Sequence, residues 1–234
     1  MATTIARGRW VVVDDGDGSG PHVLEDAAVV TQGGFITAIG PWAALEAQHK
    51  GAHILGGDGS AVMPGLINAH HHASAVSDTQ QGLLDDVLEP WLLGHAGGRS
   101  AGSTADAVRF AAGRLLQTGV TAVVDMAGCG AADAAGTAAM EAWLGAYEAA
   151  GLRGCVCPGF YFRSRLVHNG DAAFLATLPD DLRDRVQAEL LPPGWPPAAG
   201  EAEAEAEAAA CTEYLKMMEG LLATAAPLRF ATLG

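Results

Sequence analysis

Apolar and polar positions along the first sixty residues alternate in short runs broken by turn residues. RWVVV is rich in β-branched side chains and gives way to the turn-formers DDGDGSG. AAVVTQGGFITAIG then places two strands around Gly33-Gly34, a strong hairpin signal. HILGGDGSAVMPGLIN leads into another apolar strand. After about residue 75 the rhythm changes to helices and strands in alternation. Residues 81–93 and 103–117 have helical spacing, the second with Ser103 or Thr104 as its cap and Gly119 beyond its end. VTAVVDM is a short apolar strand. GTAAMEAWLGAYEAA is helical and closed by Gly151, and LRGCVCPGF is the next strand. TEYLKMMEGLLATAA is helical again, and APLRFATLG reads as a final strand.

Strands and helices in alternation with right-handed crossovers build a parallel sheet, open or closed into a barrel. The pattern predicts strands at 62–69, 120–125, 152–158 and 227–233. A β/α barrel has eight. The expected fold is therefore α/β: the first half of a TIM-like (β/α)8 barrel over residues 61–234, preceded at 1–60 by the strands of a small β-sandwich. Between the third barrel strand and the last helix, residues 160–208 read as an irregular insertion. LPPGWPP cannot be regular helix. The run AAGEAEAEAEAAA could extend the following helix, yet it has no apolar stripe to bury, so it is a solvated helix or a loop and carries no function.

Composition narrows the setting. The 234 residues hold 13 Lys plus Arg against 27 Asp plus Glu, a formal charge of −14, which repels phosphate backbones and argues against nucleic acid. Cys129, Cys155, Cys157 and Cys211 form no C-x-x-C pair and no disulfide scaffold. No uncharged apolar run reaches the ~18 residues of a spanning helix, and the first residues lack an export pattern. A cytoplasmic chain away from membranes is the expectation. Asp15-Gly-Asp17-Gly-Ser19-Gly20 with Asp26 nearly fits a Ca2+ loop, but strands flank it and the last position is Asp, so it reads as a plain Asp/Gly turn.

Candidate chemistry lies in VMPGLINAHHHA. Residues i and i+2 of a strand share a face, and among the three histidines only His70 and His72 meet that condition. In a barrel strand whose C-terminal end is the mouth, both imidazoles point inward where barrel enzymes carry their chemistry. Two converging imidazole nitrogens suit Zn2+, Fe2+ or a similar divalent ion. His71 must face the other way, toward the helix layer or the loop above it, as a structural residue or one that supports the ligands from behind. The alternative is a hydrogen-bonded histidine cluster that needs no metal.

The string PGLINAHHH resembles the first barrel strand of the amidohydrolase superfamily, whose usual form is Pro-Gly-(aliphatic)2-Asp/Asn-x-His-x-His. QQGLLDDVLEPWLL, the helix into LLQTGVTAVVDM and the N-terminal strands are similar to its aminohydrolase and chlorohydrolase branch. That branch holds cytosine-, guanine- and adenosyl-type deaminases and triazine hydrolases. By this resemblance His70 and His72 would be the first two metal ligands, with zinc the expected ion and iron the alternative. The family draws a third ligand, a His, from its fifth strand and an Asp from its eighth, with a further His and an acid for proton transfer. None of those strands is expected in these residues. His95 and His168 could in principle close a site, but neither lies at a strand end. Some members bridge two metals with a carboxylated lysine on strand four. LRFATLG has none, and Lys216 precedes it in a helix, which favours a single metal.

Glu89-Pro90-Trp91 falls where related deaminases place a glutamate and a tryptophan over the substrate's sugar or ring substituent. A carboxylate can accept two hydroxyl hydrogen bonds and an indole can cover an apolar face. A helix capped by an acid beside a buried Trp is the alternative. Asp125 ends the second strand near the mouth and is expected to support the site rather than to bind metal. The implied function is hydrolysis of non-peptide carbon–nitrogen bonds by metal-activated water, above all deamination of a cyclic amidine or nucleobase-like small molecule. The chain itself is expected to be a truncated form, with no catalytic residue of its own and inactive alone; its full-length form is expected to be homo-oligomeric. The competing expectation is a non-catalytic fragment or binding protein that keeps part of the fold.

Overall fold

The computed structural model describes residues 2–14, 16–73, 77, 79–88, 90–91, 94, 103–130, 132–160, 166–167, 170–191, 193–196 and 201–234. The chain forms two compact units, Met1–Gly65 and Leu66–Gly234.

In the first unit, strands β1 (Thr3–Val13), β2 (His22–Gln32), β3 (Phe35–Pro41) and β4 (His53–Val62) form one mixed sheet in the order β3-β2-β1-β4, with helix α1 (Trp42–Gln48) after β3. β1 and β2 run antiparallel from Thr3 against Gln32 to Val13 against His22, while β4 lies parallel to β1. The expected hairpin is present. Gln32 pairs with Phe35 across Gly33-Gly34, whose φ angles of +59° and +86° are those a two-residue hairpin turn demands. Alternation along β1 and β2 gives two small cores. Ile5, Ala28 and Val30 pack with Leu45 of α1, and Val11, Val13 and Ala27 make the other.

The second unit is a sheet of four parallel strands in sequence order: β5 (Leu66–His71), β6 (Val120–Gly130), β7 (Arg153–Phe160) and β8 (Ala231–Leu233). Helices α2 (Thr104–Gln117) and α3 (Ala134–Ala150) follow β5 and β6, and α6 (Glu201–Ala225) precedes β8. Four consecutive parallel strands with helices between them are staves of the (β/α)8 type. Side chains at N-terminal flanks start the helices. Ser103 Oγ accepts from the Asp106 N–H at 3.4 Å, and Asp133 Oδ1 accepts from the Gly136 N–H at 2.9 Å. The core lies between sheet and helices: Val123 and Val156 of the strands, Val108 of α2, Met140 and Leu144 of α3, and Leu221 of α6.

Three expectations are corrected. Residues 81–93 were expected as one helix, but Thr79–Gln81 form a 3-10 turn, Gly82 takes φ +87°, 83–87 have no regular structure, and helical residues begin only at Leu88, with Pro90 and Trp91. Leu84 and Val87, before the helical residues begin, are exposed and bury no apolar stripe. The segment 160–208 is not wholly irregular. It carries α4 (Asp171–Leu175), α5 (Asp180–Leu190) and the start of α6. Leu166, Leu175 and Leu191 give it a small core of its own, packed by Phe174, Val186 and Trp195. β8 starts at Ala231 instead of residue 227, because the Arg229, Phe230 and Ala231 N–H groups all turn to one carboxylate oxygen, Glu148 Oε2, at 3.0, 2.7 and 3.3 Å.

Candidate metal centre

β5 is an end strand of the described sheet, so β6 alone holds it. The ladder between them is imperfect. Asn68 pairs with Val123 and His71 with Asp125, so three steps along β5 match two along β6. In this irregular stretch Asn68 Oδ1 accepts from the His70 N–H at 3.2 Å, a local turn characteristic of Asn.

His70 and His72 emerge on the exposed side with their Nε2 atoms 3.2 Å apart, ring centroids 5.0 Å apart and ring planes at 75°. His72 Nδ1 lies 3.0 Å from the Met126 carbonyl oxygen of β6. A carbonyl can only accept, so that bond requires a proton on Nδ1 and, in the neutral ring, makes His72 Nε2 an acceptor. That acceptor either takes the His70 Nε2–H across the 3.2 Å gap or, with His70 also protonated on Nδ1, leaves both Nε2 lone pairs turned to an ion. An ion at the usual zinc–imidazole distance of about 2.0–2.1 Å from both Nε2 atoms would subtend an angle of roughly 100° at this spacing, near the tetrahedral value. The pair therefore fits a divalent metal. Among the described residues no group of three or more His, Cys, Asp or Glu side chains converges on one point.

His71 points away from that pair, half-buried, and its Nε2 is buried without a hydrogen-bond partner. Burial holds its pKa below the ordinary histidine value. The Asp125 charge opposes that shift and the neighbouring His72 adds to it. Asp125 lies with Val123 and Ala127 on the helix-facing side of β6 and is fully buried. Its Oδ1 accepts from the Ala73 N–H at 3.1 Å, and its Oδ2 accepts from Trp143 Nε1–H at 2.6 Å and from the Tyr147 hydroxyl at 2.8 Å. Burial, followed by the carboxylate beside it, pushes the Tyr147 hydroxyl pKa far upward, so the phenol keeps its proton and donates. Tyr147 can lie so close to the sheet only because residue 154 is glycine. A Cβ there would stand 2.7 Å from Tyr147 Cγ and 2.8 Å from Cδ2.

Trp91 is half-buried in a helical turn, its N–H donating to the Val87 carbonyl at 3.1 Å. Glu89, His95 and His168 lie outside the described residues. The sequence reading did not find Trp143 and Tyr147. The signal it passed over was an Asp directly after the apolar run VTAVV, in a strand that continues to Gly130, followed by a Trp and a Tyr four residues apart on one face of the next helix.

Comparison with known proteins bears on this arrangement. The Amidohydrolase family matches residues 61–222, most of the chain. The chain belongs to the amidohydrolase family. A 5-methylthioadenosine/S-adenosylhomocysteine deaminase of Nitratidesulfovibrio vulgaris (strain DP4) is 36% identical over 128 residues, covering 53% of this chain and 28% of that protein. A 5'-deoxyadenosine deaminase of Methanosarcina barkeri is 31% identical over 167 residues, covering 68% of this chain and 34% of that protein. The chain thus spans about a third of the length of these curated relatives. Among solved structures, N-isopropylammelide isopropylaminohydrolase from Burkholderia multivorans superposes with a TM-score of 0.50 at 16% identity, covering 100% of this chain and 60% of that one, a likeness of fold. No helix among the described residues is long and apolar enough to cross a membrane.

Proposed function

We propose that this chain carries the first metal-binding strand of a hydrolase that acts on carbon–nitrogen bonds other than peptide bonds, deaminating a small adenine-nucleoside-like substrate. The observation that carries the reading is the 3.2 Å approach of the His70 and His72 Nε2 atoms, with the His72 proton committed to Met126. The deaminase names of the relatives supply the substrate class. A divalent ion, zinc in the first instance and iron in the second, supplies water acidified to near-neutral pKa. His70 and His72 supply two of the ligands. Met126, through its carbonyl, would hold the His72 ring with Nε2 available to the ion, and behind the pair His71 of β5 and Asp125 of β6 would support it. Trp91, with Glu89, reads the substrate beyond the amidine ring: the indole covers an apolar face and the carboxylate accepts hydrogen bonds from hydroxyls.

With two donors in the described residues, the chain alone binds the ion weakly and does not turn over. Titration of the chain with Co2+ or Zn2+ tests this. One ion per chain is expected, with binding lost in His70→Ala and in His72→Ala and retained in His71→Ala. Unchanged affinity in the first two variants would end the metal reading and favour a non-catalytic protein that keeps the fold. Incubation with 5'-methylthioadenosine or 5'-deoxyadenosine is expected to release no ammonia from the chain alone. Release that depends on His70 and His72 would overturn the statement that two donors are too few.

A further inference from the structure

We infer that Asp125 is a positioning residue for the His70–His72 pair, acting through the Ala73 amide and held in place by Trp143 and Tyr147. The inference deepens the metal reading above and rests on it only for its metal readout.

The backbone ladder cannot do this work by itself. Regular pairing of β5 with β6 slips between Asn68 and His71, the residues that lead into the donor pair, and no other described strand flanks β5. Beyond His71 the chain leaves the strand. Two bonds then tie successive residues to successive residues of β6: the His72 ring to the Met126 carbonyl, and the Ala73 N–H to the Asp125 carboxylate. One partner is the exposed His72 ring and the other the Asp125 carboxylate, which is wholly buried toward the helices. Together they fix the backbone on the far side of His72 and the ring itself, and so set the separation of the two Nε2 atoms.

The Asp125 side chain is itself fixed. Its second oxygen takes two donors from α3, at positions 143 and 147, one helical turn apart. All three donors are neutral and directional. A carboxylate can satisfy all of them at once, but an amide cannot: its NH2 would face either the Ala73 N–H or the pair of α3 donors. The chemistry at 125 therefore selects Asp over the isosteric Asn, which is what a device for aiming requires and what filling space does not.

The test compares Asp125→Asn with Leu144→Ala, which removes a fully buried side chain of α3 that makes no bond to Asp125. Two readouts are followed. One is metal-free: the ring-nitrogen resonances of His72, which report its Nδ1–H tautomer, and the through-space contact between the His70 and His72 rings. The other is Co2+ affinity and its visible spectrum. In Asp125→Asn the fixed tautomer and the ring contact are expected to be lost and Co2+ affinity to fall by about 10–100-fold, the usual range for a group that orients a ligand. In Leu144→Ala the melting temperature is expected to drop while both readouts stay as in the parent. Should Asp125→Asn fail to fold, Tyr147→Phe and Trp143→Phe, each removing one donor to Oδ2, are expected to loosen the ring contact in the folded protein. Retention of tautomer, ring contact and affinity within about twofold in every folded variant would overturn the inference. If the parent binds no Co2+, the metal reading fails alone, and the ring spectra still decide the role of Asp125.

Discussion

Asp125 and Asp171 are both buried carboxylates, and both are held in the same way. Each accepts an indole N–H at 2.6 Å, from Trp143 and Trp195 respectively, and each gives its other oxygen to backbone amides. Their surroundings differ. Asp125 sits between the parallel sheet and α3, inside the main core, and its backbone partner follows directly on the histidine pair. Asp171 starts a short helix in the segment between β7 and α6, and its partners, Leu166, Val167 and Trp195, belong to a separate small core. An identical grip thus serves two ends. One anchors a strand whose own ladder is imperfect; the other closes a loop on itself where no sheet is available. Burial and hydrogen bonding alone do not mark a functional acid. The identity of what it holds does.

The sharpest way to break the comparison is to remove each carboxylate. Asp125→Ala leaves the Ala73 N–H, the Trp143 N–H and the Tyr147 hydroxyl without their acceptor inside the core. At roughly 1–3 kcal/mol for each buried group left unsatisfied, a loss of about 3 kcal/mol or more is expected. That is a fall of ~10 °C in the melting of the second unit. Calorimetry or circular dichroism melts would show it. A loss below ~1 kcal/mol would mean that water reaches the site and that the grip is weak.

Gly154→Ala attacks the same grip from the other side. The new methyl would meet the base of the Tyr147 ring, not a flexible tip, so the ring must move off β7 and draw its hydroxyl from Asp125. A cost of about 1–3 kcal/mol is expected for such overpacking. It should come with a perturbed tyrosine fluorescence, and the His72 ring resonances should shift as well. Asp171→Ala is expected to be milder and confined. The small core around Leu166, Leu175 and Leu191 should open locally at a cost of ~1–2 kcal/mol. Hydrogen exchange of residues 166–191 would accelerate, while the His70–His72 ring contact and the global melt stay unchanged. A change at the histidines in this variant would erase the distinction between the two acids.

The sequence showed the donor pair because strand parity is a two-residue rule: His70 and His72 share a face and His71 does not, whatever surrounds them. It showed the hairpin because Gly33-Gly34 can take a backbone that few other residues take. The same parity puts Asp125 with Val123 and Ala127 on the helix side, but not its partners. Those are 18 and 22 residues downstream on a helix whose rotation about its axis is set by packing. The segment 160–208 misled for a related reason. Its apolar residues are scattered without a period and make a core only after the chain has folded back on Asp171. Residues 81–87 misled in the opposite way, with a helical period but exposed apolar side chains at Leu84 and Val87 and no helix before Leu88.

A third carboxylate sharpens the contrast with the smallest expected effect. Glu148 Oε2 accepts from the Phe230, Arg229 and Ala231 N–H groups at the entry to β8, as Asp125 does from Ala73, yet it lies at the surface. The Phe230 amide above all holds its pKa below the ordinary glutamate value; burial, next in size, opposes it, and the Arg229 and Ala231 amides and the Arg229 charge add to the lowering. A carboxyl depressed in the folded state adds stability that is fully present above its unfolded pKa, about 4.3, and is lost as pH falls through the lower folded value. Glu148→Gln keeps an acceptor oxygen and removes only the charge. The melting temperature of this variant should therefore lie slightly below the parent at pH 7, and the gap should close as pH falls below about 4.3 and through the lower folded value. A gap that persists at pH 3 would assign the effect to lost packing instead. A gap that widens on acidification would reverse the sign and dissolve the parallel between the exposed grip and the buried ones.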